Sequence, residues 1–454
     1  MNVNVPGSSD DSAGGSPPHE GVALTAPDPD PLLSGRRIRT FESLIDVPAF
    51  RWYMLSQVGN QSAQLMQMVV RGFLAYEITG SFAALGFVEL ANSVPRVFLA
   101  LYGGAMADRA SRRVIIQVGQ ALNALLAATM AVLLFTGTLR FEHLLIGAMA
   151  QGVMNSFVMP ARQSMIPEIV GPQRLMNAFA LNTFGMNGLR LGAPALAGGL
   201  IAAFGGGWVF VLMAVLFLLA LVTLFRVPKT TAATRASAFA SANPRTSRPP
   251  SRAGAREIKD ALVYLRGQRI LLMLLALQSG ITILSLPYQR LLPGFVDEVL
   301  SGGDADRTAT LMGALLSFTA IGALVGSLLI ASLPSRQRGK LMIASLVIFA
   351  VGLLAFSISE SFWVSAAIVI VLGVGQAGRQ SLVQILIQSY VADEFRGRVS
   401  SILLLEDGIE SFGIFLISLL AEAVGPQLAL GMVAIGLGIF AAGMWASRSI
   451  RELQ

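Results

Sequence analysis

The chain has 454 residues, 54% of them hydrophobic and only 13% charged, with a mean hydropathy of +0.66. Soluble domains carry about 25% charged residues, so this composition excludes a water-soluble globule and makes lipid the solvent. The absence of cysteine excludes disulfides and thiolate chemistry, and no GxxxxGK(S/T) loop is present for ATP hydrolysis.

The net charge of +7 reads as arginine-rich loops on one side of a membrane, not as a nucleic-acid surface. The two histidines, His19 and His143, are expected to be solvated, and no metal site or other cofactor is expected.

Residues 1–49 open the chain as a Gly-, Ser-, Pro- and Asp-rich segment ending in an amphipathic lead-in. Such a composition cannot bury a core and is expected to be a disordered cytosolic tail. Arg36-Arg37 faintly resembles a twin-arginine signal, but Arg39, Glu42 and Asp46 interrupt the apolar region such a signal needs.

Apolar stretches with room for the roughly 20 residues that a bilayer demands then recur. They are predicted at 52–76, 81–106, 113–136, 142–164, 174–203 and 206–226, then at 269–293, 308–333, 340–358, 361–388, 397–424 and 426–446. The predicted fold is therefore an all-α membrane protein with twelve transmembrane helices in two six-helix bundles, 50–226 and 269–454. A Pro-, Ser- and Arg-rich cytosolic loop at 227–268 separates them.

Of 33 basic residues, only Arg140 and Arg307 fall in the loops on one side, which instead carry Glu142, Asp297, Glu298, Asp304, Asp306 and Glu360. Arg71, Arg96, Arg190, Arg290 and Arg379 fall within spans, and the others lie on the opposite side or at its edge. The positive-inside rule then predicts a multi-pass protein of the cell inner membrane with both termini cytoplasmic. Ala161-Arg162-Gln163-Ser164 at the end of the fourth span is echoed by Gly378-Arg379-Gln380-Ser381 in the tenth, which suggests a parallel repeat.

The loop after the second span reads Gly104-Ala105-Met106-Ala107-Asp108-Arg109-Ala110-Ser111-Arg112-Arg113. A lone acid at a membrane edge is costly, so Asp108 is expected to meet basic groups or a helix N-terminus of the other half. Arg396 and Arg398, just before the eleventh span, are placed to supply them. Gly104, Asp108, Arg109, Arg112, Arg113, Arg396 and Arg398 are thus expected to form a cytoplasmic gate. This loop resembles the GxxxDRxGRR loop of the major facilitator superfamily, with Ser111 in place of its second glycine. The fifth span, with Gly188, Gly192, Ala193-Pro194, Gly198 and Gly199, resembles the Gly-Pro-rich stretch of that superfamily's antiporters.

The run Phe157 to Glu168, then Asn177-Ala178-Phe179-Ala180-Leu181-Asn182, and the opening Phe50-Arg51-Trp52 with Gln57, resemble the enterobactin-exporter-like branch, also called transmembrane secretion effectors. This resemblance implies export of siderophores or varied drugs, usually by proton antiport.

Polar groups inside spans need a reason, because a charge at the bilayer centre costs about 2.5–3.5 kcal/mol on insertion scales. In the first span Gln57, Asn60, Gln61, Gln64, Gln67 and Arg71 form one stripe, expected to face an aqueous cavity or, alternatively, to hydrogen-bond neighbouring helices. Glu89, Asn92 and Arg96 share a face of the second span, and Glu406, Asp407 and Glu410 cluster in the eleventh. Proton-coupling candidates are Asp407, Glu410, Glu89 and Glu406, with a static ion-pair network as the alternative. Substrate-cavity candidates, chosen for depth and polarity, are Gln57, Gln61, Gln64, Arg71, Asn92, Arg96, Asn155, Asn187, Arg190, Gln376, Arg379 and Gln384.

The expected function is secondary active transport by a monomer, with a small-molecule substrate, protons and the lipid bilayer as its partners. A proton-coupled exporter of amphipathic molecules is the first reading, uptake or facilitated diffusion of a nutrient the second. A polytopic membrane enzyme is disfavoured because the acids lie mid-span.

Overall fold

The computed structural model describes residues 42–109, 111–171, 174–228, 269–285, 287–333, 337–391 and 406–451. Its regular elements there are helices. A short α1 (Glu42–Asp46) precedes α2 (Pro48–Thr79), α3 (Phe82–Arg109), α4 (Arg112–Phe135), α5 (Phe141–Val170), α6 (Leu175–Phe204) and α7 (Gly206–Leu224). The second set comprises α8 (Arg269–Ser285), α9 (Pro287–Phe295) with a π-helical continuation at Val296–Ser301, α10 (Ala305–Ser332), α11 (Arg338–Ser357), α12 (Phe362–Tyr390), α13 (Glu406–Val424), α14 (Pro426–Ala446) and α15 (Arg448–Arg451).

Turn chemistry ends the helices where the sequence supplies it. Gly80 closes α2 at φ 61°, a left-handed conformation open to glycine, and its N–H bonds Tyr76 O. Asp304 caps α10 by accepting from Arg307 N at 3.1 Å.

Nine stretches among the described residues are long and apolar enough to cross a membrane. Leu125, Val132 and Phe135 on α4, and Leu218, Leu219 and Val222 on α7, are exposed. Each such side chain would sacrifice about 1.5–3 kcal/mol by facing water, so these faces belong against lipid. The long helices α2, α6 and α13 are outside that apolar set. Each packs heavily on neighbouring helices, and α6 and α13 bridge the two helix sets.

The fourth and seventh spans differ from their expected limits. α5 continues to Val170 through Pro160 and Pro167, because a membrane helix with packed neighbours can satisfy the carbonyls that proline leaves free. Arg112, at the start of α4, donates to the Ser164 carbonyl at 3.0 Å in that stretch. In the seventh span the π-helical segment carries the helix to Ser301, eight residues past its expected end.

Helix pairing has a reciprocal pattern. In the first set α3 packs on α5 and α4 on α7; in the second, α10 packs on α12 and α11 on α14. Between the sets, α3 meets α13 and α6 meets α10. The second long helix of each set thus meets the fifth of the other, the arrangement expected of two parallel repeats about an axis along the membrane normal.

Glycine makes the α3–α5 contact possible. A Cβ built at Gly152 would lie 1.9 Å from the Asn92 carbonyl oxygen, and one at Gly322 would lie equally close, 1.9 Å, to the Ile370 carbonyl oxygen in the matching α10–α12 contact. Backbone cannot yield as a flexible side chain does, and overpacking costs about 1–3 kcal/mol or more. Gly152→Val is expected to remove most of the monodisperse protein from a detergent extract, as read by size-exclusion chromatography. A wild-type yield with unchanged thermal stability would show that the α3–α5 spacing is not critical.

Candidate functional site

Most of the polar stripe on α2 turns into the first helix set as an interhelical hydrogen-bond ladder. Gln57 accepts from Arg162, and Asn60 accepts from Gln120 of α4 at 2.9 Å. Gln64 donates to Asn155 at 3.3 Å, and Gln67 accepts from Gln151. Gln57, Asn60, Gln67, Arg71 and Asn155 are buried, while Gln61 and Gln64 are half-buried. The hydrogen-bonding alternative therefore describes most of this stripe, and the aqueous-cavity expectation does not.

At its far end the stripe reaches the other helix set. Arg71 donates through Nη1 to Gln151 Oε1 at 2.8 Å, and its Nη2 lies 3.8 Å from Glu89 Oε2. The second Glu89 oxygen accepts from Arg290 Nη2 of α9 at 3.3 Å. One carboxylate on α3 is thereby held by an arginine from each set. Asn92, one turn along α3, donates to the Ala148 carbonyl at 3.1 Å and to Gln151 at 3.4 Å, which fixes that face of α3 on α5. A small pocket opens on this group, with Arg71, Glu89, Gln289 and Arg290 as its polar wall and Leu85 and Met312 among its apolar residues.

Beside Arg290 on α9, Gln289 donates to Gln376 of α12 at 3.2 Å and to the Tyr288 hydroxyl at 3.1 Å. Arg379, near Gln376 in sequence, is only 2% exposed. Of the other cavity candidates, Arg96 and Asn187 are half-buried, whereas Arg190 and Gln384 are exposed.

The two helix sets close on one another at the end that carries Thr79, Phe82 and Val424. Tyr76 donates to Glu298 at 2.7 Å. Glu422 of α13 accepts from Phe82 N at 2.6 Å, Ala83 N at 3.2 Å and Ser81 Oγ at 3.0 Å. The two backbone N–H groups are unsatisfied donors at the start of α3, where a negative charge is stabilised by the helix dipole. Nearby, Cβ atoms at Gly198 and Gly313 would meet the Ala309 and Pro194 carbonyl oxygens at 2.4 and 2.7 Å, so α6 and α10 touch backbone to backbone. Earlier on α6, nothing lies within 4 Å of the Cβ positions of Gly185, Gly188 and Gly192.

At the opposite end, part of the expected gate can be placed. Arg112 pairs with Glu168 of α5, and Arg113 donates to the carbonyls of Val227 at 2.5 Å and Phe225 at 3.1 Å. Both arginines are thus engaged inside the first helix set. Gly104, Asp108 and Arg109 lie on α3, but their side-chain surroundings fall outside the described residues, as do Arg396 and Arg398 entirely. Of the α13 acids, Glu410 is half-buried; Glu406 and Asp407 begin the helix with side chains outside the described set.

Sequence reasoning counted Arg290 among the intramembrane arginines without joining it to Glu89, and it passed over Gln151, Gln289, Tyr288 and Glu422. The general rule that an intramembrane charge needs a partner would have flagged the first pair. Glu422 carried no local signal, because its partners are backbone donors of a helix far away in sequence. Arg162 is a further case. It was placed at the end of the fourth span, but it is 4% exposed within α5, with its Nε and Nη2 atoms unpaired.

Residues 43–452 match the family model described as transmembrane secretion effector. The staphyloferrin A transporter of Staphylococcus aureus is 22% identical over 352 residues, which cover 75% of this chain and 81% of that protein. The solved nucleoside transporter NupG superposes with a TM-score of 0.66 at 13% identity, covering 88% of this chain and 98% of that one. A bacterial homolog of the human lysosomal transporter Spinster, in an inward-facing and unoccupied conformation, superposes with a TM-score of 0.66 at 15% identity, covering 92% and 98%. These structural likenesses establish the fold. With a family match over nearly its whole length, the chain belongs to the transmembrane secretion effectors and is a multi-pass membrane transporter of the major facilitator type.

Proposed function

We propose that this protein is a proton-coupled exporter of amphipathic small molecules, such as drugs or siderophore-like metabolites, working by alternating access as a monomer in the inner membrane. In this reading both termini are cytoplasmic, and the bundles 50–226 and 269–454 rock about the central pocket. The observation that carries it is the clamp on Glu89, a buried carboxylate shared by Arg71 of one helix set and Arg290 of the other beside that pocket. Such a contact can form in one conformation and break in the other, as rocking requires. The Tyr76–Glu298 and Glu422 contacts would part in the same motion.

The proton carriers in this reading are the acids of α13, Asp407 and Glu410 with Glu406 beside them, together with Glu89. Export is supported by the secretion effector family, and a siderophore-like cargo by the siderophore transporter among its relatives.

Purified protein in liposomes loaded with a pH-sensitive dye, with no proton gradient imposed, tests the coupling. Dansylglycine, dansylcadaverine and ethidium would each be added outside. Antiport predicts that the transported probe drives protons the opposite way, and that Asp407→Asn or Glu410→Gln removes the proton signal. Protons moving with the probe would make the protein a symporter suited to uptake. Probe flux with no proton signal, equal in wild type and variants, would make it a facilitator.

A further inference from the structure

The pocket between the helix sets has an unbalanced charge. Arg71 and Arg290 share one carboxylate, Glu89. Arg71 also donates to Gln151, and its side chain is only 10% exposed. Arg290 differs. Its side chain is 25% exposed and forms part of the pocket wall, and Glu89 is its partner at 3.3 Å. A guanidinium has five donors in a planar fork, suited to a carboxylate or phosphate. Holding an under-neutralised cation inside a membrane protein is costly unless something offsets it.

We propose that Arg290 is the docking point for an anionic group of the substrate, and that the transported molecules are amphipathic anions. This rests on the transporter reading above and deepens it. The anionic group reaches the open side of the Arg290 fork. The body of the molecule lies against Leu85, Val88, Met312 and Leu316. Glu89 is the internal counterpart of that anion: it holds both arginines when the pocket is empty and competes with the substrate for them. Since Arg71 and Glu89 belong to one helix set and Arg290 to the other, an anion bound here bridges both moving parts.

Two probes with one fluorophore and opposite charges test this in detergent, where no proton gradient enters and the outcome is independent of coupling. Binding of dansylglycine, an anion, and dansylcadaverine, a cation, would be read by fluorescence anisotropy on the purified full chain. The expected result is at least a tenfold preference for dansylglycine, lost in Arg290→Gln and largely kept in Arg290→Lys. Glu89→Gln, which removes the competing carboxylate, should tighten dansylglycine severalfold. Arg290→Lys guards against a folding artefact, because it preserves the charge while changing the fork. Preference for the cation, equal binding of both probes, binding of neither, or an anion preference unchanged in Arg290→Gln would overturn the assignment.

Discussion

Glu89→Gln is expected to abolish transport and to lower thermal stability, even though it changes only one atom of the side chain. In the native protein the two guanidiniums converge on this carboxylate at 3.8 and 3.3 Å. Neutralising it leaves both cations without their shared counter-charge in a site screened from water. Removing one partner of a buried ion pair costs about 3–5 kcal/mol. Because the clamp joins the two helix sets, part of that loss falls on the conformation closed at the Glu422 end. About 3 kcal/mol would change the ratio of closed to open forms by roughly 100-fold, enough to hold the protein on one side of its cycle.

A second substitution separates this electrostatic account from simple damage. Glu89→Gln combined with Arg290→Gln restores the original charge balance around Arg71, so thermal stability should recover toward wild type while transport stays absent. Tryptophan-fluorescence melts of the four proteins, wild type, two singles and the double, form the required cycle. If the single Glu89→Gln melts and transports like wild type, the clamp is incidental. If the double loses as much stability as its two singles combined, the two groups do not interact.

The helices were legible because a bilayer imposes one rule on every span: about 20 apolar residues, with backbone hydrogen bonds satisfied internally. Hence α14 lies at Pro426–Ala446, matching the expected 426–446, while α4 differs from 113–136 by one residue at each end. Span limits were less legible where a helix continues past its apolar stretch against a neighbour, as α5 does where Glu168 pairs with Arg112 of α4.

The site was half legible. That Glu89, Arg71 and Arg290 are costly inside a membrane follows from their identity alone. That one carboxylate joins both arginines, and that Gln57, Gln64 and Gln67 face other helices rather than water, depends on the rotation of each helix about its axis. Amides serve equally as cavity lining and as packing glue, so their periodicity could not choose between the two. Glu422 shows the limit: its role comes from the N-terminus of α3, which no motif in α13 anticipates.

Joining Gly86 to Ser418 by a disulfide is expected to stop transport completely and reversibly. A Cβ built at Gly86 of α3 would lie 3.0 Å from Ser418 Cβ on α13. Disulfides favour a Cβ–Cβ separation of about 3.5–4.5 Å, so a small outward shift suffices to form one. The same Cβ lies 3.0 Å from Phe415 Cα, so the α3–α13 contact must give by a few tenths of an ångström to accept it. The chain contains no cysteine, so Gly86→Cys with Ser418→Cys would introduce its only thiols. Both positions lie toward the end closed by Glu422 and by the Tyr76–Glu298 contact. Alternating access requires that end to part, and a covalent bond of about 2 Å between sulfurs cannot stretch with it. Oxidised double-cysteine protein in liposomes should therefore show only background flux of whichever probe the wild type carries, with flux restored by dithiothreitol. Each single variant should transport with or without oxidant, which separates crowding at Gly86 from the cross-link. Full flux through quantitatively cross-linked protein would mean that α3 and α13 stay together throughout the cycle, and that the opening lies along another seam, the α6–α10 contact at Gly198 and Gly313 being the next to test.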